Sequence, residues 1–320
     1  MGNRLPKPLK AVEQITVVAL MDNYSDVLLE SGDIVTRPPN AKNGLISEDT
    51  LVAEHGLSLL VTVVQGEERH SILFDAGHTE IGVPHNLNHL GLDLGDIEAI
   101  VLSHGHMDHT GALYPILKDL PRPVPLVVHP AAFQSPRYKM QPSGRLDRFP
   151  DTLKREELAA QRIEILESPE PVPLGNGMIL VTGEVDRTTA FEKGFPPAKM
   201  ERNGELVQDP ISDDQSLVVH LRGKGLVVIS GCAHSGIVNT IHYARKITGI
   251  KTIHAILGGF HLGGRLFEPI IGETIAAIKE FDPKWLVPMH CTGWKATQKF
   301  SEAFPSAFVL NSVGSTYLLS

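Results

Sequence analysis

The apolar stretch Ile100-Val101-Leu102-Ser103 runs straight into His104-Gly105-His106-Met107-Asp108-His109, and Thr110-Gly111 then opens a helix. Four ionisable side chains within six residues, directly after a buried strand, restrict the fold more than any other feature of the chain. A lone histidine on a strand is ordinarily a hydrogen-bonded core or surface residue, but this spacing favours metal. In an extended loop His104 and His106 project to one side and can share one ion, while Asp108 and His109 can turn to a second. Gly105 is expected to let the backbone bend so that both imidazoles converge.

Composition narrows the setting. The chain has 320 residues, 42% hydrophobic and 21% charged, which excludes a long disordered or collagen-like protein and leaves two ordinary domains or one large layered domain. A net charge of −8 argues against a sequence-independent grip on nucleic acid. Cys232 and Cys291 are the only cysteines, so a disulfide framework is excluded and a reducing cytosol is expected. Met1 to Lys10 does not read as a signal peptide, and Pro6 breaks a myristoylation motif. Leu57 to Val64 is far shorter than the roughly 20 residues that cross a bilayer, so no membrane contact and a cytoplasmic location are expected. Fifteen histidines against two tryptophans are the feature of the composition that needs a cause.

Short Val, Ile and Leu runs predict strands at Ile15–Leu20, Leu57–Val64, Ser71–Phe74, Ile100–Leu102, Leu126–Val128 and Met178–Val181. Further strands are predicted at Ser216–Leu221, Leu226–Ile229, His254–Leu257, Trp285–Val287 and Ala307–Leu310, with a tight hairpin at Arg222-Gly223-Lys224-Gly225. Helical periodicity covers Gly111–Leu117, Leu153–Ala160, Gly236–Ile247 and Pro269–Phe281. The strands cluster before Val128 and after Gln215, which predicts two similar layered halves. The stretch from 131 to about 210 differs, with many prolines and one convincing strand. From Phe133 to Glu164 it carries seven Arg or Lys against five Asp or Glu, and it reads as an insertion or cap, either a solvated surface or a cover over a site for an anionic small molecule.

The H-x-H-x-D-H run resembles the signature of the metallo-β-lactamase-fold superfamily. The resemblance extends to Asp75-Ala76-Gly77 after a strand and to His290 at the end of Trp285-Leu286-Val287. It implies an α+β fold, a four-layer αββα sandwich, as a single domain over 1–320 with the insertion at about 131–210. Four further segments, 53–58, Gly231-Cys232-Ala233-His234-Ser235-Gly236-Ile237, Gly258-Gly259-Phe260-His261-Leu262 and Pro288-Met289-His290-Cys291-Thr292-Gly293, resemble one branch of it. That branch is named after an archaeal 7,8-dihydropterin-6-methyl-4-(β-D-ribofuranosyl)aminobenzene 5′-phosphate synthase.

The resemblance implies two divalent ions, zinc first, with manganese or iron as alternatives. His104, His106 and His234 are assigned to metal one, and Asp108, His109 and His290 to metal two. The family's usual third histidine is absent near Thr182-Gly183-Glu184, and Gly231-Cys232 stands where a bridging aspartate is common, so Cys232 and Glu184 are added as possible ligands. Asp75 is expected to support the metal loop from behind, Asp108 and His261 to be catalytic, and His55 and Asn23 to meet substrate. The other eight histidines have no ligand spacing. The implied function is hydrolysis of an ester, lactone or phosphoester by a metal-activated hydroxide. Two alternatives stand beside it: condensation of a dihydropterin diphosphate with a ribofuranosylaminobenzene phosphate, and a non-catalytic metal-binding sensor.

Overall fold

Alternation along single strands explains the architecture of the computed structural model, which describes residues 8–42, 44–46, 48–161 and 163–320. The expectations for residues 1–7, and Arg162 among the counted cations, lie outside the described residues. In strand Gln14–Met21, Ile15, Val17 and Ala19 enter one core while Val18, Leu20 and Met21 enter another. In strand Gly225–Ser230, Val227 and Ile229 join that first core and Leu226 and Val228 a third. Because side chains alternate faces, each strand is apolar on both sides and each sheet must be covered twice. The result is helices, sheet, sheet, helices.

One sheet runs, edge to edge, Ile165–Glu167, Leu126–Val128, Ile97–Val101, Glu68–Phe74, Ser58–Gln65, Gln14–Met21, Thr316–Leu319 and Val35–Thr36. The other runs Val172–Leu174, Ile179–Val181, Ser216–Leu221, Gly225–Ser230, Ile253–Gly259 and Trp285–Met289, with Ala11–Val12 pairing parallel to Ser216–Leu221. The expected hairpin joins Leu221 to Gly225. Helix Ile237–Thr248 buries the predicted stripe Ile237, Ile241, Ala244 and Ile247 against the second sheet. No helix among the described residues is long and apolar enough to cross a membrane.

Several elements differ from the sequence reading. Ala307–Leu310 is not a strand: it makes one bridge, Phe308 to Leu286, and then leaves the sheet. The last strand is Thr316–Leu319, inserted beside the first. Helices Gly82–Leu90 and Trp294–Ala303 went unrecognised, the first because Gly, Pro and Asn dominate it and the second because Ala296 and Phe300 alone are buried. The stretch 131–210 is not one insertion. Ile165–Glu167, Val172–Leu174 and Ile179–Val181 belong to the main sheets, while Arg137–Met140, Leu146–Arg148, Ala198–Arg202 and Glu205–Gln208 form a separate four-stranded sheet.

Candidate metal centre

Most residues in this region follow the carboxyl end of a strand: Asp22 and Asn23 after Gln14–Met21, Asp75 after Glu68–Phe74, and the 104–109 run after Ile97–Val101. Cys232 and His234 follow Gly225–Ser230, His261 follows Ile253–Gly259, and His290 follows Trp285–Met289. These loops therefore meet at one end of the sandwich. Asp75, Ala233, His261 and His290 all hold positive φ, at 63°, 55°, 46° and 50°. Side chains other than glycine adopt that region at a cost, and the surrounding contacts must impose it.

The side chains converge. His104 Nε2 lies 2.9 Å from His106 Nδ1, and the His234 ring centroid is 4.8 Å from that of His104 and 5.0 Å from that of His106. The ligand atoms of Asp108, His109, Cys232 and His290 all lie within 4.8 Å of one another, as do those of His104, Cys232 and His234. Cys232 Sγ is 3.2 Å from His109 Nε2, so it stands between the two groups rather than at the margin. Buried ring nitrogens ordinarily have hydrogen-bond partners. Here His106 Nε2, both ring nitrogens of His234 and His261 Nδ1 have none, and His290 Nε2 faces only the Asp108 carboxylate, at 3.4 Å. Nitrogen, carboxylate and thiol donors gathered around unpartnered atoms fit divalent metal binding.

Four buried carboxylates hold these loops from behind. Asp75 accepts from Ser103 N at 2.7 Å and faces His109 Nδ1 at 2.7 Å. Asp213 accepts from Gly105 N at 2.8 Å, Asp214 from the His234 and Ser235 amides at 2.9 and 2.8 Å, and Asp22 from His290 N at 2.7 Å. Only Asp75 was legible as such from the sequence. Asp213-Asp214 and Asp22 carried a usable signal, acidic residues immediately beside strand ends that nothing exposed requires. Gly105 lies in a bend across which His104 and His106 converge, and glycine is needed there for a second reason: a Cβ would overlap the Ala132 carbonyl oxygen.

Electrostatics divide the histidines. Burial pushes His104 and His234 well below the usual imidazole range and brings His106 down to about 4. Burial alone would lower His109 too, but the Asp75 and Asp108 carboxylates carry it up to about 9. Asp108 is raised by burial, yet His109 and then His290 outweigh this and hold it well below the usual carboxylate range. Burial also raises the Cys232 thiol, which keeps its proton until a cation displaces it.

Other expected residues fall differently. Glu184 is exposed and joins none of the ligand groups found among the described residues; its loop turns away with its amide bound to Pro169 O. Asn23 packs against His290: its Oδ1 is 3.1 Å from His290 Nδ1 and its Nδ2 donates to His290 O. An acceptor on Nδ1 leaves Nε2 of His290 free to ligate. His55 is exposed, with Nε2 3.6 Å from Asp108 Oδ2 and Nδ1 3.0 Å from Asn23 Nδ2. Among the histidines without ligand spacing, His70 pairs with Glu98, His78 contacts His55 O and His129 caps the turn at Ala131.

A cavity of about 370 Å³ opens against His234 and His261, walled by loops 190–196 and 260–270. The basic stretch contributes little free charge nearby. Arg137 is buried on Asp213 and Asp209, and Arg145 and Arg148 pair with Asp147 and Asp151, so these three cations are already committed.

The family model described as the metallo-beta-lactamase superfamily matches residues 56–245, and the chain belongs to that superfamily. Within it, the chain is 33% identical over 260 residues, 80% of its own length and 87% of the relative's, to a protein of Methanocaldococcus jannaschii. That relative is named 7,8-dihydropterin-6-methyl-4-(β-D-ribofuranosyl)-aminobenzene-5′-phosphate synthase. A second protein of the same organism, described as uncharacterized, is 34% identical over 263 residues, 82% of this chain and 92% of that one. A crystal structure described as a metal-dependent hydrolase of the beta-lactamase superfamily superposes with a TM-score of 0.71 at 25% identity, covering 96% of this chain and 98% of that one.

Proposed function

We propose that this chain is a metal-dependent hydrolase acting on an ester, lactone or phosphoester, with two divalent ions, zinc foremost. The observation that carries the reading is the convergence of His104, His106, Asp108, His109, Cys232, His234 and His290 around unpartnered buried nitrogens. His104, His106 and His234 would hold one ion, Asp108, His109 and His290 the other, with Cys232 within reach of both. Bound there, the ions would supply Lewis acidity and a water acidified toward neutral pH.

The chain's own residues do the rest. Asp108 is a carboxylate at neutral pH and can accept a hydrogen bond from water, fixing its direction of approach. Asp75 and Asn23 hold the Nδ1 sides of His109 and His290, which keeps the Nε2 sides turned inward. His261, on the cavity wall with Nδ1 unpartnered, is placed to hold or protonate a leaving group. His55 lies beside Asp108, 3.6 Å from its carboxylate.

A second reading is the transferase chemistry for which the 33% identical relative is named. One series of assays separates the two. Purified protein is analysed for bound metal, then offered ester, lactone and phosphodiester panels, and separately a dihydropterin diphosphate with and without the aminobenzene partner. Hydrolysis lost on chelation, restored by metal and abolished in His106→Ala supports the first reading. Diphosphate release that requires the partner supports the second. A cobalt-substituted sample adds a check on the ligands: a thiolate-to-metal absorption band is expected, absent in Cys232→Ser.

A further inference from the structure

The cavity beside His234 and His261 has a character that the metal site does not dictate. Its walls are Phe191, Phe260, Leu262, Leu266, Phe267 and Ile270. Phe267 stands edge-on to His261, with centroids 4.6 Å apart, and 5.8 Å from the ring of Phe195, which in turn lies 5.9 Å from His234 and nearly parallel to it. The imidazoles at its inner end are thus continuous with an aromatic wall.

The obvious anion position in this cavity is taken. Helix Ile237–Thr248 begins at its edge, and free amides at a helix start ordinarily attract phosphate. Here the buried Glu192 carboxylate already accepts from the Val238 and Asn239 amides, each at 2.8 Å, and from Thr189 Oγ1 at 3.0 Å. A Cβ on Gly236 would overlap that carboxylate, so the two segments are fitted to one another. The remaining charged groups on the lining are Lys193 and Glu273, both exposed and opposite in sign.

We infer that this cavity is the specificity pocket and takes an uncharged, flat or branched apolar group, an aryl or short acyl moiety, attached next to the scissile bond, while phosphate groups are excluded from it. The inference rests on the hydrolase reading for the direction of the scissile bond but not for the binding itself. A volume of about 370 Å³ is at the lower end of the roughly 300–1,000 Å³ found for ligand pockets, which suits one or two fused rings. Between the imidazoles and the exposed Lys193 and Glu273 the wall is aromatic and aliphatic, which rewards a neutral occupant and penalises one that must shed hydration without gaining a partner.

The test measures equilibrium binding to the metal-loaded protein of two fluorescent probes that cannot be hydrolysed, 2-naphthylmethanol and its 6-carboxylate. It is read in the wild type, in Phe267→Ala, which removes a wall, and in Ile270→Trp, which fills the space; two opposite changes guard against a fold defect in either. The expected result is that the neutral probe binds at least about tenfold tighter than the carboxylate and that each variant weakens it by about tenfold. Preference for the carboxylate, absence of binding, or indifference to both variants would overturn the assignment. Since no turnover is needed, neutral-probe binding in a protein inert toward all hydrolase panels would leave the pocket standing and remove the hydrolase reading alone.

Discussion

His109 Nδ1 and Asp75 Oδ2 lie 2.7 Å apart with both side chains fully sealed from solvent. The same carboxylate accepts from the Ser103 amide through its other oxygen, so a single side chain fixes both the ring orientation of His109 and the start of the 104–109 loop. Removing it in Asp75→Ala leaves two buried donors without an acceptor, a loss of about 1–3 kcal/mol each at most. Carboxylates behind metal-bound histidines also tune the metal, by about 10–100-fold in affinity. Asp75→Asn is therefore expected to fold but to lose bound metal at lower chelator concentration. Unchanged chelator competition would remove Asp75 from the site's support.

Opposing histidine shifts give the metal-free protein a stability maximum near neutrality. His106, held at about 4 when folded and 6.5 when unfolded, contributes stability above pH 6.5 that is lost as pH falls toward 4, and His104 and His234 act in the same direction. His109, raised to about 9, contributes stability that is complete below pH 6.5 and lost as pH rises toward 9. Urea midpoints measured from pH 4 to 9 on chelator-treated protein should fall on both sides. With metal bound, the alkaline loss should disappear, because ligation requires His109 without its Nε2 proton. A midpoint that climbs steadily from pH 6.5 to 9 in the metal-free protein would refute the His109 assignment.

Asn23 separates a supporting role from a substrate role. If its contact with His290 Nδ1 is what matters, Asn23→Ala lowers metal affinity by about 10–100-fold and restoring metal in excess recovers kcat with little change in KM. A substrate contact would do the reverse, raising KM at saturating metal. Titration of both variant and wild type with metal, followed by steady-state kinetics, decides between them.

The ligand run was legible because strand and loop lie together in sequence, so spacing alone brings His104, His106, Asp108 and His109 into one region. His234, His261 and His290 needed the resemblance, since three separate strand ends deliver them. What escaped was support of long sequence range: Asp22 reaches His290 and Asn311, and Asp213 reaches Gly105 and Arg137, pairs that no local pattern announces. The two sheets were readable from strands apolar on both faces. The edge strands Ile165–Glu167 and Val172–Leu174 were not, because segments of three residues owe their conformation to the neighbour they pair with.

Arg137, one of the cations of the basic stretch, is the buried partner of two carboxylates. Its Nη1 and Nη2 donate to Asp213 at 3.0 and 2.7 Å, and its Nε lies 3.1 Å from Asp209. Burial raises the Asp213 carboxyl, but Arg137 more than offsets this and brings it to about 2, so Asp213 stays charged and binds the Gly105 amide inside the metal loop. Arg137→Met strands that charge, and breaking one side of a buried pair costs about 3–5 kcal/mol. The variant should unfold at markedly lower urea and bind metal more weakly. Arg137→Met combined with Asp213→Asn removes the stranded charge while keeping an amide oxygen for Gly105, and it should recover much of the loss. If the double variant is as unstable as the sum of the two single changes, the pair is uncoupled and Arg137 does not support the 104–109 loop.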